Sequence, residues 1–286
     1  MHIATPTMSV AETADEARAG FYLCLARAFM TPSDAAVFRA ARDYLAADLA
    51  ELSTACGYAV GSTIDAYVHA MAGLPDYLSL QVVHARLFLM PGDPHPSLNT
   101  GAYLDGGVAG GSVTAMVNCY RRCGLEQQEG FHDLPDHPAM QLEFVSWLFA
   151  AHAEGRGGAD LPMRAGEFLA HFVDRWAGAF RADVEAAGER FKLAANPYAP
   201  LARLIEIAAQ ADAVQTSGHG TDVDPEILRL RMACAGHEPD VGDLATIRAR
   251  LAASGHATGH LGIPVEQRDE AMGFHPLTPP RPPRVR

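Results

Sequence analysis

Apolar residues recur at three- and four-residue spacings from about Glu12 to Val214, and Pro, Gly and Ser interrupt the pattern where helices would end. Phe21, Leu25 and Phe29 line one face of the first predicted helix. After Thr31-Pro32-Ser33 a second helix continues from Val37 to Leu52. No run of five residues alternates apolar and polar positions, so no strand is predicted. The pattern predicts an all-α protein.

Further helices are predicted by the same spacing and by their start and stop residues. They run from Ser62 to Met71, from Pro75 to Met90, from Ser112 to Gly124, from Asp136 or His137 to Phe149, over Met163–Ala187 and over Pro197–Val214. Two irregular stretches separate them, residues 91–111 and 125–136. Irregular segments as long as the first are usually functional or disordered.

The character of the chain changes at Thr216. The segment TSGHGTDVDPEI has the composition of a linker, and the last eleven residues, PLTPPRPPRVR, hold five prolines. We therefore predict one globular helical domain over residues 12–215 and a C-terminal extension over residues 216–286, partly helical and with an extended or disordered end.

Composition and charge limit the classes of partner that the protein can bind. The chain has 286 residues, of which 49% are hydrophobic, and its formal net charge is −12. Residues 1–216 hold 14 basic and 25 acidic side chains, a net charge of −11, so the helical domain carries nearly all of the excess. Because nucleic acid repels such a surface, a basic peptide is the expected partner.

Cysteine usage and the N-terminus predict a cytoplasmic protein. The five cysteines are odd in number and spread along the chain, and the first residues have neither a basic nor an apolar leader-like region. No segment approaches ~18 uninterrupted apolar residues, so no membrane span is expected.

Catalytic and metal-binding motifs are weak. The sequence has no nucleophile elbow, no H-E-x-x-H, no P-loop and no C-x-x-C, and no cofactor is expected. There are two candidate metal sites. The first is Cys119-x3-Cys123, for which two half-buried helical cysteines are the favoured interpretation. The second is Cys234-x2-His237 with His256-x3-His260, for which a chance match among many histidines is favoured. A metal-dependent helical enzyme, or a scaffold protein that uses the proline-rich tail, remains the alternative to a peptide-binding protein.

The most informative cluster is HDLPDHPAMQLEF, which ends at Phe144 and lies where an irregular stretch becomes a helix. Asp136 has two candidate roles, as the cap of that helix or as a partner for a client arginine. The cluster follows Leu87-Phe88 and the loop PGDPHPSLNTGAYLDGG, which contains Tyr103 and Asp105.

This ordered set of motifs resembles the TorD/DmsD/NarJ family of chaperones for molybdenum enzymes, over about residues 12–215. YRRCGL before the cluster, LEF with Trp147 after it, and HFVDRW at residues 171–176 add to the resemblance. Members usually read E-P-D-H where this chain has Leu134 before Pro135-Asp136-His137. In its longer loop and in this departure the chain resembles the branch of the family that serves membrane-associated or periplasmic respiratory enzymes of the dimethyl-sulfoxide-reductase type, including the type II dehydrogenases.

The resemblance implies a single all-helical domain that is not an enzyme. It implies binding of the apo catalytic subunit of a dimethyl-sulfoxide-reductase-family molybdoenzyme and of its twin-arginine leader, in the cytoplasm, while the molybdenum cofactor is inserted, with cofactor-biosynthesis proteins as further partners. Such a leader needs an acidic rim beside apolar surface. The predicted client-binding residues are Leu87, Phe88, Tyr103, Asp105, Pro135, Asp136, His137, Glu143 and Trp147.

Overall fold

The computed structural model describes residues 10–92, 95–107, 110–127, 133–155, 163–217 and 274–276. Within these ranges the helices are α1 Val10–Ala28, α2 Ala35–Asp43, α3 Leu45–Cys56, α4 Gly61–Ala72, α5 Tyr77–Phe88, α6 Gly101–Asp105, α7 Gly111–Arg122, α8 Pro138–Ala153, α9 Ala165–Phe168, α10 Asp174–Arg190 and α11 Tyr198–Ser217. A π-helical turn, Leu169–Val173, joins α9 to α10. The all-α fold class predicted from the sequence is confirmed.

Short polar side chains begin several of these helices. The Asp34 carboxylate accepts the Ala36 and Val37 N–H groups at 2.7 and 3.0 Å before α2, and Asp76 accepts the Ser79 N–H at 2.8 Å before α5. These bonds satisfy N–H groups that have no partner within the helix. The breaks predicted at Thr31-Pro32-Ser33 and at Pro75 therefore come just before real helix starts.

The single helix predicted from Val37 to Leu52 is wrong, because the chain leaves helical geometry at Tyr44. Tyr44 has φ −124° and ψ −40°, so α2 ends and α3 begins around it. Apolar Ala41 and Leu45 keep the helical spacing across the break. The periodicity therefore gave no sign of the interruption.

The expectation of no strand also fails locally. Strand β1, Leu125–Gln127, pairs antiparallel with β2, Phe274–Pro276, and Glu126 lies opposite His275. Three residues are too few to show an alternating pattern, so the sequence could not signal them. The described helices include none that is long and apolar enough to cross a membrane.

The hydrophobic core lies between two helix pairs. α1 packs along α8, and α10 packs along α11. The largest side chains that are fully buried are aromatic, including Trp176, Tyr22, Phe144 and Phe180. The π-helical turn places both Phe172 and Trp176 of the HFVDRW segment in this core.

A buried polar cluster, which we call the Asp212 cluster, ties the ends of the domain together. Asp212, on α11, is 2% exposed and accepts hydrogen bonds from Arg18 Nε at 3.0 Å, from Tyr22 at 2.9 Å and from Tyr58. Arg18 and Tyr22 belong to α1, and Tyr58 follows α3. The first and last described helices of the domain are thereby joined through one carboxylate.

Candidate functional site

The two irregular stretches of the chain meet at one place, which we call the α6–α8 junction: Thr100, Gly101, Asp136 and Gln141. The Thr100 hydroxyl donates to the Asp136 backbone carbonyl at 2.9 Å, and the Thr100 N–H donates to the same oxygen at 3.3 Å. The Gly101 N–H donates to the Asp136 carboxylate at 2.8 Å. The loop that follows α5 is therefore fastened to the start of α8.

Asp136 takes neither of the two roles predicted for it. Its carboxylate accepts the first N–H of α6, and its side chain is 0% exposed, so it does not face a client. The cap of α8 is His137, whose Nδ1 accepts the Ala139 N–H at 3.1 Å, with Pro138 as the first helical residue. The sequence missed the Asp136 role because α6 has only five residues.

Gln141 is the centre of the junction, and sequence reasoning did not single it out. Its side-chain NH₂ donates to the Asp136 carbonyl and to Thr100 Oγ1, both at 2.7 Å. Its oxygen accepts the Trp176 indole N–H at 2.9 Å, and an indole nitrogen can only donate, which fixes the orientation of the amide. The available signal was a lone glutamine at a position that helical periodicity places in the core.

Burial alters the proton affinities around the junction. It raises the pKa of the Asp136 carboxyl to about 6, although the Gly101 N–H acts in the opposite direction. Burial and, to a smaller extent, nearby His137 together lower the pKa of His84 to about 4. Asp136 Oδ1 and His84 Nε2 are buried and have no hydrogen-bond partner among the described residues. At neutral pH Asp136 is thus a buried carboxylate and His84 a buried neutral imidazole.

We expect replacement of His84 by phenylalanine to stabilise the protein increasingly as the pH falls from 7 to 5. With a folded-state pKa of about 4, buried His84 resists the proton that the unfolded chain takes up below 6.5, so the wild type loses stability over this range. Asp136 has the opposite effect, since its raised pKa adds stability as the pH falls below about 6. Because the wild type and the His84 variant both contain Asp136, this effect cancels in the difference between them.

The expected gain from this replacement at pH 5 is about 1–2 kcal/mol relative to pH 7, measured by urea unfolding. The exposed His69, replaced by phenylalanine, is the matched control and should show no such pH-dependent gain. A difference between the His84 variant and wild type that is constant with pH would contradict the prediction.

Leu87 and Phe88, predicted to contact clients, lie in the core. Leu87 is 0% and Phe88 is 6% exposed, and the Phe88 ring stacks on Phe180 with centroids 6.2 Å apart. Tyr103, from α6, is half-buried and meets the same Phe180 ring edge-on at 6.2 Å, while its hydroxyl donates to Asp183 at 3.0 Å. These three residues position the loop rather than present an open apolar surface.

The residues that directly follow Leu87-Phe88 form exposed apolar surface. Leu89 and Met90, which follow α5, are 66% and 49% exposed. They come directly before the loop that leads to α6. The sequence motif drew attention to Leu87-Phe88, but the helix ends there, and the residues after the end point outward.

The remaining predicted residues divide between the interior and the surface. Pro135 is buried, and its carbonyl accepts the Tyr120 hydroxyl at 3.0 Å. Asp105 is exposed at the end of α6, where its carboxylate caps α7 by accepting the Ser112 N–H at 3.0 Å and the Ser112 hydroxyl at 2.8 Å. Asp133, three residues before Asp136, is also exposed.

Glu143 and Trp147 are half-buried and lie further along α8. At 1.5 Å per residue they are about 8 and 14 Å along the helix axis from Pro138. Trp147 stacks on Phe144 with centroids 6.3 Å apart. The structure therefore places these two residues outside the α6–α8 junction. The sequence motif alone did not show this separation.

The described residues contain no group of three or more His, Cys, Asp or Glu side chains placed to hold a metal ion. Cys119 is buried, and Cys123 is a free, half-buried thiol whose pKa burial raises to about 11. A protonated thiol is a poor metal ligand. The other candidate set, Cys234 and His237 with His256 and His260, lies outside the described residues.

Comparison with known protein families gives a match that covers the region of the site. A family model described as nitrate reductase delta subunit matches residues 43–182, about half of the chain. The matched span includes the α6–α8 junction and every predicted client-binding residue. No curated protein and no solved structure matches the chain significantly.

Proposed function

Since the chain belongs to the nitrate reductase delta subunit family, which serves the maturation of molybdoenzymes, we propose that it binds the cofactor-free catalytic subunit of one such enzyme and its twin-arginine leader. Binding takes place in the cytoplasm and precedes insertion of the molybdenum cofactor. The protein acts by holding its client and carries out no turnover of its own.

The observation that carries this proposal is the α6–α8 junction. Thr100, Gly101 and Gln141 fix the loop against the start of α8 by hydrogen bonds that are buried from water. A segment held in this way has already lost its conformational freedom before a ligand arrives. A preorganised surface binds more tightly than a loop that must order on contact.

The charges around the junction suit a cationic, partly apolar peptide. Asp105 and Asp133 are exposed on the two chain segments that the junction joins. Leu89 and Met90 add exposed apolar surface at the beginning of the loop. We propose that the two aspartates attract the paired arginines and that the apolar residues contact the segment that follows them.

The buried predicted residues have a supporting role in this proposal. Asp136 and His137 cap α6 and α8, while Leu87, Phe88 and Pro135 are buried. Glu143 and Trp147 extend the proposed client surface along α8. The client thus contacts residues around the family-like motif more than the motif itself.

Replacing Asp105 and Asp133 together by asparagine should weaken leader binding at least about tenfold, because each charge-assisted contact is worth ~1.5–3 kcal/mol. Asparagine still caps α7 at position 105, so the melting temperature should change little. The measurement is calorimetric titration of a synthetic leader peptide, with an Arg-Arg pair and about 12 apolar residues, into the full chain.

A matched control removes the same charge elsewhere. Glu51 and Asp65 are exposed on α3 and α4, and their replacement by glutamine and asparagine should leave binding unchanged. Equal weakening in both double variants would show that only net charge matters. Wild-type affinity in the Asp105/Asp133 variant would place the leader site elsewhere.

A further inference from the structure

Strand β1 connects the C-terminal end of the chain to the proposed client surface. Residues 274–276 pair antiparallel with Leu125–Gln127, in a register that places Pro276, His275 and Phe274 opposite residues 125, 126 and 127. β1 is thus an edge that accepts an extended segment. In this structure the segment that it accepts comes from the same chain, about 150 residues away in sequence.

The edge lies next to the α6–α8 junction. The Gln127 side chain donates to the Asp133 backbone carbonyl at 2.7 Å, so the end of β1 touches the segment that leads into Pro135-Asp136-His137. Glu126, in the middle of β1, is exposed, as is Asp133. An extended segment paired with β1 therefore runs beside two exposed carboxylates.

The sequence after the paired segment is basic and rich in proline. The ten residues that follow β2 read LTPPRPPRVR, with three arginines, four prolines and no acidic residue. Arginine is also the recognition feature of a twin-arginine leader. The segment that pairs with β1 is therefore continued, in sequence, by residues of the same charge as the proposed ligand.

We infer that the β1 edge is where the arginine-bearing, extended part of the leader binds, and that residues 274–276 occupy this edge until a client displaces them. The inference rests on the proposed function. A ladder of three residues is marginally stable, so displacement is easy, but its covalent attachment gives the resident strand a high effective concentration. Only peptides that bind tightly enough to displace residues 274–276 can then occupy the edge.

A disulfide across the two strands tests this competition in the full chain. Opposed Cα atoms of antiparallel strands are ~4.5–5.5 Å apart, within the range that a disulfide spans. We expect Glu126→Cys combined with His275→Cys to form a bond on mild oxidation, detected by peptide mass mapping. The oxidised protein should bind the Arg-Arg leader peptide at least tenfold more weakly than the same protein after reduction.

Two controls accompany the disulfide. Wild type, with its five native cysteines, receives the same oxidant and should bind as before. In the otherwise wild-type chain, His275→Pro removes one strand N–H and should tighten binding several-fold, because the resident strand is weakened. The two changes act in opposite directions, so a general loss of folding cannot imitate both.

The outcomes separate this inference from the proposed function. Oxidised protein that binds the leader as tightly as reduced protein, or a disulfide that does not form, overturns the β1 site and leaves leader binding intact. If a peptide with Gln-Gln in place of Arg-Arg binds equally well and is equally blocked by the disulfide, the edge accepts extended segments but arginine recognition fails. If no form binds either peptide, both proposals are overturned.

Discussion

Replacing Asp212 by alanine is expected to lower the free energy of unfolding by about 3–5 kcal/mol, more than any single replacement at the α6–α8 junction. The carboxylate is 2% exposed and accepts hydrogen bonds from Arg18, Tyr22 and Tyr58. Its removal leaves two buried hydroxyls without this acceptor and takes one carboxylate partner from Arg18, which keeps its bond to Asp15. Each of these losses costs free energy that water cannot restore in the core.

Urea unfolding at pH 7 measures this effect, with two further variants for comparison. Asp212→Asn retains an acceptor and should lose less than the alanine variant. Asp43 is exposed and bonded to neighbouring Arg42, and its replacement by alanine should change stability little. If Asp212→Ala unfolds at the same urea concentration as wild type, the Asp212 cluster does not hold the ends of the domain together.

Replacing Gln141 by leucine should cost about 1–3 kcal/mol of stability and also weaken leader binding. Leucine has nearly the same size, but it leaves the buried Trp176 N–H without an acceptor and withdraws the donors to Thr100 and to the Asp136 carbonyl. Because these bonds fix α6 against α8, the loop should lose its preorganisation.

Unfolding and peptide titration of the same preparation distinguish the two consequences for Gln141. The matched control is Gln81→Leu, which removes a single side-chain bond, from Gln81 to the Pro32 carbonyl on another part of the fold. It should bind the leader as wild type does. A Gln141 variant that is destabilised yet binds normally would show that the junction supports the fold alone.

Most helices could be predicted from the sequence because long apolar periodicities and capping residues are local signals. His137 and Pro138 begin α8 as expected, and the loop after α5 does reach the start of that helix. Tyr44 shows the limit of the method, since an apolar pattern that continues across a break looks like one helix. α6 and β1 were missed because five residues of helix and three of strand hold fewer than two full periods, so no repeat can show.

The site was harder to predict than the fold because burial depends on contacts between distant segments. Asp136 looked like an acidic residue for a client, yet the carboxylate is needed by Gly101, 35 residues earlier. Leu87 and Phe88 looked like a binding surface, but Phe180, far along the chain, covers Phe88. The family resemblance pointed to this region, and only the packing showed which of its residues face outward.

We propose that this chain binds a molybdoenzyme catalytic subunit before its cofactor is inserted. The most direct test titrates the purified full chain with a nitrate-reductase-type catalytic subunit that carries its leader, in the cofactor-free and in the cofactor-loaded form. We expect the cofactor-free form to bind at least about tenfold more tightly, a difference of ~1.4 kcal/mol or more. Equal affinity for the two forms, or binding of neither, would contradict the account.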